Sequence, residues 1–559
     1  KDLEKGLSQG AVTDDLFSGF ARTGGLPRFL GGFLRLVFDA GTGRLLDNPN
    51  TVAIWAIRQI TLAFAKINLP CSDARTAAAV SGYIQTEREV RENDRNLDAE
   101  SRASFIRISS LLWAPVLQAV DEDVYYERII PRHGPGATAD RLKGNLKWMQ
   151  HVWTERLERE FPSGSHLFNH SLHFARDIAR GESTLTWAEP GAEIPVRVIT
   201  VPKTLEKPRI IAIEPTCMQY MQQGLLRSLV EAIRTDYLAS FLIGFSSQVP
   251  NQELARKGSL EGDLATLDLS EASDRVSNQH VRDLLSRHPN LLAGVDACRS
   301  RKADVPGYGV QRLAKFASMG SALTFPFEAM VFATVIFMGI ESDLSRRLTR
   351  KDVESYVGQV RVYGDDIIVP VRHAKSVVTA LETFGFRVNV NKSFWTGKFR
   401  ESCGKEYYGG DDVSIVRLRS VLPTDRRQVP EIVSTVSTRN QLYQAGLWSA
   451  ARKLDSGLES LLRGRYPHVT ERSPVLGRVS YLREFETHAT DTMHRPLVRG
   501  YTYRSKLPES PLTDERALLK CLTLLEYREQ SLFLQVLGDT GLPDRITSWK
   551  GSHLERVLT

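Results

Sequence analysis

The spacing of apolar and polar positions changes several times along this chain. Residues 1–125 carry mostly helical spacing: 51–67 repeats apolar residues at helical intervals, and 85–101 is polar and laced with charge. A Gly/Pro-rich run from Arg132 to Thr138 interrupts the pattern, and 143–179 reads as helix again. Between 195 and 213 the period shortens. Val196, Val198, Ile199 and Val201, then Ile210, Ile211 and Ile213, flank a basic centre, which predicts strand–loop–strand. Residues 214–240 are predicted helical.

From 256 to 420 strand and helix signals alternate. The spacing predicts a strand over 264–269, an amphipathic helix over 275–287 and a long helical stretch over 323–348. A hairpin over 360–371 and a helix over 375–384 follow. Beyond 430 the pattern is mainly helical, with basic and aromatic insertions such as Arg499-Gly500-Tyr501-Thr502-Tyr503-Arg504. There are no internal repeats and no long low-complexity segment. The 559 residues suggest about three or four domains, with soft boundaries near 255 and 425.

Composition narrows the class. Hydrophobic residues make up 42% and charged residues 25%, an ordinary globular balance that excludes wholesale disorder and collagen-like repetition. The net charge of +7 permits a polyanionic partner. Cys71, Cys217, Cys298, Cys403 and Cys521 are scattered, odd in number and without C-x-x-C, which argues against a disulfide framework and fits a reducing cytosol. The apolar run 325–340 is interrupted by Glu328 and is too short for a membrane span; no signal peptide is recognisable. The chain opens on Lys1 rather than Met, which fits a native start further upstream.

The densest chemistry lies in the 360–371 hairpin. Gly364-Asp365 suits a two-residue turn with Gly at the position needing positive φ, and Asp366 follows directly. Adjacent carboxylates repel unless a cation neutralises them, and Mg²⁺ suits a few carboxylate oxygens plus substrate phosphates. A third carboxylate is available from the 264–269 strand, where period-two geometry aligns Asp268 with Leu264 and Thr266. The residues alone also allow Asp268 as a helix cap and Gly364-Asp365-Asp366 as an ordinary turn.

Tyr363-Gly364-Asp365-Asp366 resembles motif C of viral RNA-dependent RNA polymerases, and 268–274 (Asp-Leu-Ser-Glu-Ala-Ser-Asp) resembles their motif A. Val201-Pro202-Lys203, Ile211-Ala212-Ile213-Glu214-Pro215, Ser318-Met319-Gly320 and Arg400-Glu401-Ser402-Cys403-Gly404-Lys405 together resemble the replicase β subunit of positive-strand RNA bacteriophages, the leviviruses. The resemblance covers roughly 130–420.

It implies an α+β right-hand polymerase: an antiparallel-sheet palm over 256–420 with finger insertions, helical fingers over 126–255, thumb and C-terminal region over 421–559, and a helical 1–125 bridging fingers and thumb. It implies template-directed RNA synthesis with Asp268, Asp365 and Asp366 holding two Mg²⁺ ions, for which Mn²⁺ can substitute. It further implies primer-independent initiation on a phage genome in the cytoplasm of a bacterial host. The implied partners are template RNA, nucleoside triphosphates, elongation factors Tu and Ts, and a ribosomal RNA-binding protein, with no membrane.

Other residues would handle the nucleotide. Arg197, Lys203, Lys207 and Arg209 form a basic cluster that the resemblance places over the triphosphate as motif F; by composition alone it is equally a solvated loop. Asp274 either favours the start of the next helix or, by resemblance, senses the ribose 2′-hydroxyl. Ser318, Gly320 and Thr324 resemble the motif B loop entering a helix. Glu328 stands where many RNA polymerases carry Asn, although phage replicases also have Glu there. Lys392 matches the motif D lysine that protonates pyrophosphate, and is otherwise a surface turn lysine. Cys403 lacks a nearby base and reads as structural.

Two further groupings invite comparison. Gly409-Gly410-Asp411-Asp412 lacks the apolar hairpin flank and reads as a turn. His166, His170 and His173 share a helical face but lack a completing Cys, so an exposed face is favoured over zinc. The rival activities are a reverse transcriptase, disfavoured by Asp274, a nucleotide cyclase, which would need no template channel, and a non-catalytic RNA-binding remnant, disfavoured by the intact acidic trio.

Overall fold

Strand Leu264–Ser270 organises the centre of the molecule. On one edge it pairs antiparallel with Asp366–Pro370, which turns back to Arg361–Tyr363; on the other it pairs with Arg387–Val388. The apolar alternation at 360–371 therefore does fold as a hairpin. The computed structural model describes residues 1–167 and 185–482 throughout, and beyond them only separate stretches up to 525 and the strand Ser552–Leu558.

Helix Thr324–Leu344 lies beneath this sheet. It is apolar on every face, from Phe327 through Val331 and Phe332 to Ile340, so it must be enclosed on every face. Helices Ala99–Tyr125 and Ala374–Thr383 enclose it, joined in one core with the sheet's inner residues Leu267, Val362, Ile367 and Val369. Each such side chain contributes about 1.5–3 kcal/mol by leaving water. The Trp113 indole donates to Thr334 Oγ1 at 2.9 Å, satisfying the one polar atom its burial would orphan. Ala99–Tyr125 and Thr324–Leu344 are long and apolar enough to cross a membrane by length and composition; here both are core helices, and the second is longer than the apolar run alone suggested.

A second sheet stands beside the first. Val196–Val201 and Arg209–Ile213 form the expected strand–loop–strand. Val196–Val201 also pairs in parallel with Lys302–Val305, whose hairpin partner is Gly309–Arg312. Helix Asp73–Asn96 packs Val80, Tyr83 and Ile84 against this sheet. A third sheet, Phe399–Ser402, Lys405–Tyr408 and Asp411–Asp412, packs on residues 3–57 through Phe399, Tyr408 and Val413. It is tied to the central strand by the paired backbone bonds of Thr266 and Phe394 and by Arg400, whose Nε donates to Leu264 O at 2.6 Å.

Three expectations change. The stretch from 143 is not one helix: Gly144–Met149 is a 3-10 turn, Val152–Thr154 a strand, and Glu155–Glu160 and Ser163–His166 short helices separated at Pro162. The rest of that stretch, with His170 and His173, lies outside the described residues. The helix expected over 275–287 is split, because Ser277 and His280 form a capping box that starts a new helix at Asn278. The C-terminal region holds the helices Val429–Gln444 and Trp448–Leu461, but the basic–aromatic run is a strand, Arg499–Ser505, paired with Ser552–Leu558. Its alternation of Tyr501 and Tyr503 with Gly500, Thr502 and Arg504 has period two, not 3.6.

Candidate nucleotidyl-transfer site

The antiparallel register sets Asp366 directly opposite Asp268. Directly opposed residues project to the same face with Cβ atoms about 4.5–5.5 Å apart, so two acids distant in sequence become neighbours. Asp365 is exposed at the hairpin tip. Gly364, at φ +60°, makes the turn possible, and a Cβ there would come within 2.9 Å of the Phe325 ring. Both conformation and space demand glycine.

The two half-buried acids, Asp268 and Asp366, are held by protein donors. Asp268 accepts from Asn389 Nδ2 at 2.8 Å and from Lys392 Nζ at 3.4 Å, while its backbone N–H donates to Ser393 Oγ. Asp366 accepts the Cys403 N–H at 3.1 Å and Ser402 Oγ at 3.5 Å. Burial pushes Asp366 up to about 6, and the charges of Asp365 and Asp268 push the same way against the Cys403 bond. Asp268 is raised chiefly by burial, with Asp365 adding to it and Lys392 opposing. Lys392 loses some basicity to burial, but the pull of Asp268, Glu401 and Asp365 outweighs that and leaves it raised.

Half-buried Asp268 and Asp366, each raised in part by the exposed Asp365, form a negative site with hard oxygen donors, the set a divalent cation fits. Among the described residues, however, no three His, Cys, Asp or Glu side chains converge closely enough to hold a metal ion as they stand. The trio is gathered at one sheet end but not closed into a coordination sphere.

The basic residues divide. Partial burial and the neighbouring charges of Arg209 and Lys392 lower Lys203, while Asp365 and Asp268 pull it back, which places it in the field of the acids. Lys207 Nζ pairs with Glu271 at 2.8 Å, just past the Asp268 strand. Arg209 is exposed at the mouth of its strand. Arg197 sits within its strand, and its buried Nε has no partner among the described residues.

Asp274 is drawn inward. Its Oδ1 accepts from Ser318 Oγ at 2.8 Å and Lys315 Nζ at 3.2 Å. Thr324 Oγ1 donates to Ser318 O at 2.9 Å, and Gly320, at φ +139°, lies so close to Ala212 O that any side chain would collide. The loop at 318–321 is thereby clamped between the second sheet and the long helix. Glu328 lies under the hairpin tip, where burial first, then Asp365 and Asp274, push it well above the carboxylate range; its buried Oε2 has no partner among the described residues.

The residues that sequence reasoning missed are Lys315, Tyr83, Asn389 and Ser393. Lys315 had a signal, a single charge inside Leu313-Ala314-Lys315-Phe316-Ala317; the others had none. The second acidic grouping is engaged elsewhere. Asp411 accepts from Thr51 and Asp412 pairs with Lys405, in a short third-sheet strand following the Gly409-Gly410 turn. His166 Nδ1 lies 3.0 Å from Pro162 O. Burial first, then Asp366, pushes the Cys403 thiol up to about 12, which agrees with a structural role.

Residues 192–429 match the family described as RNA replicase, beta-chain. The RNA-directed RNA polymerase beta chain of Escherichia phage MS2 is 38% identical over 216 residues, 39% of this chain and 36% of its own length. The RNA-directed RNA polymerase subunit beta of Enterobacteria phage SP is 34% identical over 383 residues, 66% of this chain and 60% of its own. The matched stretch thus spans about a third of the MS2 relative and three fifths of the SP relative. Among solved structures, the BmCPV RNA-dependent RNA polymerase at elongation state covers 65% of this chain and 34% of its own at 12% identity and a TM-score of 0.37, too loose a superposition to bear on the site. Every candidate from Arg197 to Lys392 falls inside the matching segment.

Proposed function

We propose that this chain, whose residues 192–429 match the RNA replicase beta-chain family, catalyses template-directed RNA synthesis, the RNA-directed RNA polymerase reaction on a phage RNA genome. The observation that carries the reading is the register pairing Asp366 with Asp268 beneath a tip bearing Asp365. Those three residues are the ones that would hold two Mg²⁺ ions, which would supply Lewis-acid activation of a 3′-hydroxyl and neutralisation of phosphate charge.

The remaining groups act by position and charge, which is what phosphoryl transfer requires of a protein. Lys203, Lys207, Arg197 and Arg209 offer cations to the triphosphate from the second sheet and its loop. Lys392, raised and therefore charged, stands beside Asp268 and can deliver a proton to the departing pyrophosphate oxygen. Asp274 accepts from the ribose 2′-hydroxyl, and Ser318, Gly320 and Thr324 hold that pocket's wall. Template RNA binds chiefly through phosphates and so weakens with salt. The same reading proposes a bacterial cytoplasmic setting, with elongation factors Tu and Ts and a ribosomal RNA-binding protein as partners.

The test is the purified chain with RNA, four rNTPs and Mg²⁺, with and without those factors. Product formation, lost in folded Asp365→Ala and Asp366→Ala, is the expected result. No product under either condition would leave the RNA-binding remnant, and preference for dNTPs would make it a reverse transcriptase.

A further inference from the structure

Helix Asp73–Asn96 lies outside the matching segment, yet its Tyr83 reaches the candidate sugar sensor. Ser318 has one hydroxyl proton, and it goes to Asp274 Oδ1. In the 3.0 Å contact between Tyr83 and Ser318, the tyrosine must therefore be the donor. Burial, assisted by the charge of Asp274, pushes the Tyr83 phenol above its usual range, so it keeps the proton this requires.

Lys315 is fully buried. Its ammonium lies 3.5 Å from the centre of the Tyr83 ring, 3.2 Å from Asp274 Oδ1 and 3.9 Å from Glu87. A buried ammonium is stable only when so surrounded. Glu87, one turn further along the same helix, accepts the Ala314 N–H and fixes the backbone that carries Lys315. Within this closed set Asp274 Oδ1 receives two donors, and Oδ2 receives none among the described residues.

Resting on the reading of Asp274 as ribose sensor, we infer that Tyr83 and Lys315 are positioning residues for sugar selection. By occupying Oδ1 with internal donors, they leave Oδ2 as the acceptor for the 2′-hydroxyl of an incoming ribonucleotide. A 2′-deoxynucleotide offers no hydrogen there. Helix Asp73–Asn96, whose Arg75 also donates to Leu205 O in the basic loop, would then set which sugar the site accepts.

The test compares kcat/KM for CTP and dCTP on one RNA template with the full chain. Tyr83→Phe, which removes a single oxygen, should lower the ribo-to-deoxy ratio about three- to tenfold, the worth of one hydrogen bond. Lys315→Met should lower it further, and Lys315→Arg should restore most of it. In an Asp274→Ala background, Tyr83→Phe should change the ratio no further, because the two act through one carboxylate. An unchanged ratio in Asp274→Ala overturns the sensor itself. A relaxed ratio in Asp274→Ala beside an unchanged one in Tyr83→Phe overturns the positioning role alone, as do equal losses for both nucleotides in Tyr83→Phe. Should Lys315→Met fail to fold, Tyr83→Phe decides the matter.

Discussion

Replacing Asp366 by asparagine should make the metal-free protein more stable while abolishing synthesis. Asp366 folds with its acidity moved from 3.8 to about 6, chiefly by burial. A carboxyl with a raised folded value contributes its full stability below the unfolded value, then loses it as pH climbs from 3.8 to about 6. At about 1.4 kcal/mol per pH unit the loss comes to about 3 kcal/mol at pH 7. Asparagine has no charge to desolvate, and its carbonyl can still accept the Cys403 N–H. The assay is thermal and urea unfolding of both proteins from pH 4 to 8, in buffer stripped of divalent cations. The variant's advantage should be close to zero at pH 4, grow through pH 6 and level off above 7. Added Mg²⁺ should then raise the melting temperature of the parent and leave the variant's unmoved, because only the parent gains a ligand on folding. Equal stability at pH 7 without metal, or an advantage that does not shrink on acidification, would refute the reasoning.

Lys392→Leu should slow single-turnover nucleotide addition by about 10²-fold, as loss of a general acid does, with RNA affinity nearly intact; an unaltered single-turnover rate would count against the proton-donor role. Glu328→Gln should retain activity within about threefold, because glutamine keeps the length and hydrogen-bonding capacity of the side chain. As Glu328 is raised, the parent loses stability as pH rises above the ordinary carboxylate value of 4.5, so the variant's relative melting temperature should climb with pH from there. Gly364→Ala should cost about 1–2 kcal/mol from its left-handed turn alone. The collision with Phe325 adds to that cost, and activity should fall with it.

The face bearing the acidic trio was readable where short-range pattern and register coincide. Strong apolar alternation marked both Leu264–Ser270 and the 360–371 hairpin, and a single glycine marked the turn. The antiparallel pairing of Asp268 with Asp366 then followed from chain geometry. The hairpin of Lys302–Val305 and Gly309–Arg312 was not readable, because its strands are four residues long and its outer one is largely exposed. The helix misread over 143–167 failed at Pro162 and at the strand Val152–Thr154, whose partner, Thr186–Ala188, is more than thirty residues away. Tyr83 could not have been found at all: its hydroxyl meets Ser318 across 235 positions, and nothing in the surrounding helix marks it from other buried tyrosines.

The pairing of the Asp268 strand with the hairpin also sets what this chain can tolerate in its own descent. Nearly a hundred residues separate the two acids, and only the exposed turns among them could lengthen or shorten without disturbing the site. Inside either strand, one inserted residue would swing every side chain beyond it to the opposite face and bury an acid among the core leucines and valines. Drift in this lineage should therefore accumulate in the loops between the strands, while strand length stays frozen.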